Sequence, residues 1–200
     1  MRKHLDLGCG LTPKNPYDYE ALYGIDLRAH EAEAGNATVL GANLAMEAIP
    51  FPDNHFDAVS AYDFFEHIPR VALDYRSNTS KFPFVDLMSE IWRVLKPDGL
   101  LYAITPAFPN EKALRDPTHV NIITVKTHRY FTAPHLMARM YGFKGSFALV
   151  RQAWVHPRGI YEPNNPGLAR RIKSLGEKII GEQSHLIWEF SAIKKPDPSS

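Results

Sequence analysis

The chain of 200 residues has a single cysteine, Cys9, so an intrachain disulfide and a cysteine-based zinc site are both excluded. It has no block of one charge: 23 basic against 22 acidic residues leave a net charge of +1. That balance argues against nucleic acid as a partner, because polyanion binding needs a basic stripe. It also lacks an apolar run long enough for a membrane span. The opening Met1-Arg2-Lys3 passes straight into a strand-like run, which leaves no room for a signal peptide. A cytoplasmic location is therefore expected. Repeats and low-complexity tracts are missing too. Only Lys195 to Ser200 reads as a loose tail, so residues 1–194 are expected to form one domain.

What is present is ordinary for a soluble globular protein, with 44% apolar and 22% charged residues. The 16 prolines fall mainly between apolar runs and imply long, shaped connections. Apolar runs at 3–7, 22–26, 37–40, 56–61, 100–105, 143–155 and 185–193 read as strands. Residues 84–95 carry apolar side chains at helical spacing and stop at Lys96-Pro97-Asp98-Gly99. Shorter helices are expected over 62–68 and 133–141, and an amphipathic one over 166–181. Residues 70–81 read as polar and irregular. Residues 106–130 show no period, and a loop of that length in a compact domain is usually functional. The succession implies an α/β, Rossmann-like fold: a seven-stranded, mostly parallel sheet with an antiparallel last strand and helices on both faces.

The most informative stretch is His4-Leu5-Asp6-Leu7-Gly8-Cys9-Gly10, a buried strand ending in a Gly-x-Gly turn. Asp26 closes the next apolar run. A turn with no Cβ beside an acid at the tip of the second strand suits a nucleoside: the glycines admit close approach and the carboxylate accepts from ribose hydroxyls. A dinucleotide fingerprint would need its third glycine at position 13, which is Pro13. No phosphate-binding loop of the Gly-x-x-x-x-Gly-Lys type is present.

These residues, with Gly24-Ile25-Asp26-Leu27, Ile49 to Asp57, Phe65-Glu66-His67-Ile68 and Arg93 to Gly99, resemble the class I S-adenosylmethionine (SAM) dependent methyltransferases, in particular the small bacterial methyltransferase domain of type 11. The likeness covers about residues 4 to 105 and fades where that family carries its substrate determinants. It implies SAM as cofactor and S-adenosylhomocysteine as product. It further implies that Asp6, Gly8, Cys9 and Gly10 form the methionine-side turn, that Asp26 takes the ribose, and that Leu27 lies against the adenine. Asn43 would accept from the adenine amino group, Leu44 would offer its backbone N–H, and Ala61 and Tyr62 would face the methionine. Departures are Thr12 at the third glycine and Asp98 in the Lys-Pro-Gly-Gly motif. The family's N-terminal lid helices do not precede the first strand, so a lid is expected from residues 70–82, from 106–130, or from a partner subunit of a homo-oligomer.

The acceptor side is less defined. Asp63, Glu66 and His67 would share one face of a short helix at the sheet's ligand-binding edge. Three readings stay open: the group orients the site wall, His67 acts as general base, or a divalent metal binds there with His119 as a further ligand. His119, in Asp116-Pro117-Thr118-His119, sits in the long loop and is the other candidate base, since imidazole titrates near neutral pH. His128, His135, His156 and His185 are read as structural. The Asn/Asp-Pro-Pro-Tyr/Phe signature of amino-directed DNA methyltransferases is absent. A small-molecule acceptor is expected, with a hydroxyl oxygen of a sugar, glycolipid precursor or natural product as nucleophile. The alternative is a catalytically inactive SAM-binding module that acts through a partner.

Overall fold

The computed structural model describes residues 1–28, 32–34, 37–156 and 183–194. Its strands are β1 (Lys3–Leu7), β2 (Ala21–Asp26), β3 (Ala32–Ala34), β4 (Ala37–Gly41), β5 (Phe56–Tyr62), β6 (Ala72–Asp74), β7 (Thr79–Lys81), β8 (Leu95–Pro106), β9 (Phe147–Val155) and β10 (His185–Ala192). The main sheet runs β3-β4-β2-β1-β5-β8-β10-β9. Neighbours from β4 to β8 are parallel, and β10, last in the chain, is antiparallel to both β8 and β9. This is the expected seven-stranded sheet with its antiparallel last strand. A three-residue edge, β3, which lies between β2 and β4 in the chain, is added antiparallel to β4.

The two faces of the sheet differ because side chains alternate along each strand. One face carries Leu5, Leu7, Val59, Ala61, Leu101, Ala103, Trp188 and Phe190. The helix α1 (Pro83–Val94) packs into that core with Met88, Ile91 and Val94, none of which has exposed surface. Each such side chain stabilises the fold by roughly 2–3 kcal/mol. Pro83 fits the first turn of α1, where an N–H has no helical partner in any case. The other face carries His4, Asp6, Ser60, Tyr62, Tyr102 and Glu189, all buried. Residues 11–20 fold against it without helix, as Pro13 and Pro16 require. Tyr17 donates to Glu189 Oε1 at 2.7 Å and stacks on Tyr19 at 5.6 Å.

Three local expectations are corrected. Residues 62–68 make only a 3-10 turn, Phe65–His67, because Asp63 sits in the left-handed region at φ 48° and Pro69 follows at once. Residues 70–81 contain the hairpin β6–β7, turned by Asp74, whose carboxylate accepts from the N–H of Arg76 and Ser77 and pairs with Lys81 at 3.0 Å. Residues 133–141 are helical only as a 3-10 turn over Met137–Tyr141. The Lys96-Pro97-Asp98-Gly99 break lies inside β8 as an irregularity, where the partners of Phe56 and Ala58 jump from Leu95 to Leu100. The helix expected over 166–181, and the tail, lie outside the described residues. No helix among the described residues is long and apolar enough to cross a membrane.

Candidate active site

β1 ends between β2 and β5, so the turn after Leu7 meets the C-terminal tips of both neighbours. Gly8 donates to Ile25 O at 2.8 Å, and Gly10 donates to Asp26 Oδ2 at 2.9 Å. Asp26 Oδ1 accepts from Arg28 N at 3.0 Å, so the carboxylate is aimed by two backbone amides at the tip of β2. Gly8 and Gly10 have φ of 65° and 58°. Their needs differ beyond that. A Cβ on Gly8 would come within 2.5 Å of the Phe64 ring, whereas one on Gly10 would meet nothing within 4 Å. Gly8→Ala should therefore cost roughly 3 kcal/mol or more in chemical denaturation, from left-handed strain plus the clash. Gly10→Ala should cost about 1 kcal/mol. Equal losses would show that Phe64 does not hold the turn.

Asp6 stands behind this turn. It is 1% exposed, accepts from Ser60 Oγ at 2.6 Å and from Lys14 N at 2.8 Å, and so ties residues 11–14 to the sheet. His4 Nε2 completes the chain at 2.8 Å from Ser60 Oγ, and burial pushes its pKa down to about 3. Burial raises Asp6 to about 6 against an ordinary 3.8, despite the opposing hydrogen bonds from Lys14 and Ser60. The folded state thus holds this proton where the unfolded chain has released it. Stability from this group is full below pH 4 and is lost as pH rises through 6. Relative to Asp6→Asn, the wild type should lose about 3 kcal/mol between those limits in urea melts. A flat difference would mean that water reaches the carboxyl. Cys9 turns its thiol under the turn: a Cβ on Gly24 would lie 2.5 Å from Cys9 Sγ, and burial pushes the thiol up to about 12.

Around Asp26 the surface is unusually apolar. Leu11, Leu27 and Met46 are 76%, 67% and 84% exposed. Ala42 N donates to Asp26 O, which brings the next residue, Asn43, beside the same tip. Asn43 Oδ1 accepts from Ala45 N at 3.2 Å, and Leu44 is buried below. Ala61 and Tyr62 end β5 beside Leu7 and are buried.

Past β5 lies a cavity of about 260 Å³ lined by Asp63, Glu66, His67, Pro106, Lys112, Arg115, Asp116, His119 and His185. The segment carrying His119 is clipped to the 3-10 turn: Val120 and Asn121 donate their amides to Glu66 O, and Asn121 Nδ2 donates to Phe65 O. Arg70 Nε donates to Asn121 Oδ1 at 2.7 Å, and a second guanidinium nitrogen donates to Ile122 O. His67 and His119 meet edge to face at 4.9 Å. Their tautomers follow from their partners. Thr118 spends its hydroxyl proton on Asp116 Oδ1, so its oxygen accepts from His67 Nδ1 at 3.1 Å. His119 Nδ1 donates to Ala113 O at 3.3 Å. In its neutral form each ring therefore keeps its lone pair on Nε2, and Nε2 of His119 stands 3.9 Å from Asp116 Oδ2. Glu66 is 1% exposed and accepts from Thr105 Oγ1 through Oε2, while Oε1 has no hydrogen-bond partner. Burial raises its carboxyl to about 8.

His67 and His119 thus meet edge to face, a pairing that one of the three open readings supposed. Asp63 departs from them and pairs with His185, Oδ1 to Nε2, at 3.2 Å. His185, expected to be structural, lines the cavity, as do Lys112 and Arg115, which no motif had marked. His128 lies apart, with its Nδ1 at 2.7 Å from Val125 O.

Residues 5–103 match the family model described as a methyltransferase domain. No curated protein matches the chain. Among solved structures, a SAM-dependent methyltransferase from Mesorhizobium loti is similar at 14% identity and TM-score 0.56, over 94% of this chain and 90% of that one. Phosphoethanolamine N-methyltransferase 2 of Haemonchus contortus, in complex with SAM, is similar at 17% identity and TM-score 0.55, over 96% and 48%. The [4+2]-cyclase SpnF is similar at 20% identity and TM-score 0.58, over 97% and 75%. At such identities these likenesses show the fold.

Proposed function

We propose, from the premise that this chain is a class I SAM-dependent methyltransferase, that its acceptor is a small molecule and its nucleophile a hydroxyl oxygen. The observation that carries the reading is the cavity directly after β5, with the His67 and His119 imidazoles on its wall, Nε2 of His119 at 3.9 Å from Asp116 Oδ2. Phe64, which lies over Gly8, is the only residue between Asp63 and Phe65, so the cavity adjoins the nucleoside corner. Asp26 would hold the ribose hydroxyls. Leu27, Asn43 and Leu44 would hold the adenine, and the Asp6 to Gly10 turn with Ala61 and Tyr62 would border the methionine.

The sulfonium supplies an activated methyl group and a neutral leaving group. The acceptor oxygen forms its bond to the methyl carbon as the carbon–sulfur bond breaks, and that electron pair stays on sulfur. The protein's part is alignment, and ionising the hydroxyl, whose proton leaves on the His67–His119 side. Lys112 and Arg115, which line this cavity together with Asp63 and Asp116, would serve an acceptor with an anionic group, such as a phosphorylated or acidic sugar.

Calorimetric titration with SAM, S-adenosylhomocysteine and NAD tests the cofactor half, and methyl transfer from labelled SAM to a panel of neutral and anionic hydroxylated acceptors tests the other. Micromolar binding of the two sulfur compounds, none of NAD, and labelled ether from an anionic acceptor is the expected result. SAM binding with labelled amine alone would overturn the hydroxyl reading. SAM binding with no transfer to any acceptor would favour the inactive binding module.

A further inference from the structure

We infer that Glu66, His67 and His119 form a site for a divalent transition-metal cation at the floor of the acceptor cavity. One ligand atom from each of the three lies within 4.8 Å of the other two. Three separate observations prepare them for a cation. Both imidazoles are fixed through Nδ1, by Thr118 and by the Ala113 carbonyl, which turns each Nε2 lone pair outward from its anchor. Histidine ligands are oriented in this way by the partner of their other nitrogen. Glu66 is held by Thr105 through one oxygen only, and the second, Oε1, is buried without a partner. A buried carboxylate oxygen left unpaired is costly unless something electropositive meets it. Finally, the backbone clips from Val120 and Asn121 to Glu66 O hold the two halves of the site together from residues 66 and 119, more than fifty positions apart.

Two imidazoles and one carboxylate suit manganese, iron, cobalt, nickel or zinc better than magnesium, which prefers an all-oxygen shell. Three protein ligands leave coordination positions open. Resting on the acceptor cavity proposed above, the cation takes over the part expected of a histidine base. It binds the acceptor hydroxyl, lowers its pKa, and the proton passes to water at the cavity mouth. An acceptor with a second oxygen beside that hydroxyl would chelate the ion and be preferred.

Cobalt(II) is the probe, because its visible absorption reports nitrogen and oxygen ligation without any turnover. The chelator-treated protein should take up one equivalent with a visible spectrum. Glu66→Gln, His67→Ala and His119→Ala should each weaken uptake at least tenfold, while His128→Ala leaves it unchanged. Glu66→Gln keeps the shape of the side chain, and retained SAM binding checks that each variant is folded. Absence of the spectrum in the wild type, or its survival in all three variants, overturns the cation site. Cobalt uptake lost in the three variants, with turnover indifferent to chelator, keeps the site and overturns this cavity as the seat of the acceptor. Turnover abolished by chelator and restored by added cation supports both.

Discussion

Asp26→Ala is expected to weaken SAM binding about a hundredfold or more and to leave the protein folded. Two hydrogen bonds from ribose hydroxyls to a carboxylate contribute roughly 1.5–3 kcal/mol each. Losing both removes at least 3 kcal/mol of binding, which is more than two decades in affinity. The structure makes the effect specific. The carboxylate stands at the end of β2, partly exposed, and among the described residues accepts from the amides of Gly10 and Arg28. Those two amides face solvent once the side chain is gone, so they are hydrated and the fold loses little. Asp26→Asn separates the two roles: it still accepts from Gly10 but holds the ribose less well. Calorimetry with SAM beside a thermal melt is the measurement. A large fall in melting temperature with Asp26→Ala, matched by a small change in affinity, would mean that Asp26 serves the turn and that the nucleoside sits elsewhere.

His119→Ala should have the opposite signature: turnover lower by about 10²- to 10⁴-fold, the range for losing what ionises the acceptor, whether the imidazole itself or a cation it holds. SAM affinity should change by no more than about twofold, since this side chain meets Ala113, His67 and Asp116, which lie outside the Asp6–Gly10 turn and the Asp26 tip. The side chain is held by the Ala113 carbonyl and packs on His67, and both contacts belong to the cavity wall. Single-turnover kinetics with saturating SAM reads the chemical step directly. A collapse of SAM affinity in this variant would turn the loop after β8 into the lid over the cofactor. That lid was one of three expected from the sequence, beside residues 70–82 and a partner subunit.

How much of this was legible follows from where each signal resides. β1, β2, β4 and β5 announce themselves as short runs carrying apolar residues and bounded by turn residues, and α1 because its apolar positions recur with the helical period. The corner proposed for the nucleoside is local, a turn and an acid sixteen residues on, so the contact of Gly10 with Asp26 lies within one short stretch of sequence. The meeting of His67 with His119 was legible only through family likeness, since nothing in the spacing of residues 67 and 119 predicts a contact. His185 escaped because it reaches the cavity by lying opposite Pro106 across the β10–β8 ladder, a pairing between residues nearly eighty positions apart. Asp63 escaped for a different reason. A single left-handed residue took it off the helical face that its spacing implied and set it against His185.

That late pairing also bears on how the chain reaches this state. β8 has β5 on one side and β10 on the other, and β9 is joined to the sheet through β10 alone. Until residues 185–192 are available, β8 carries an unpaired edge over Leu100–Pro106 while β9 has no ladder to join. Strands from β1 to β8 can assemble from nearby segments, but the closing step waits on β8 with β10, the strand pair farthest apart in the described sequence. During synthesis the half-built sheet therefore exposes an apolar edge, the kind of surface on which chains associate with one another. Its escape from aggregation depends on how soon β10 arrives to occupy that edge.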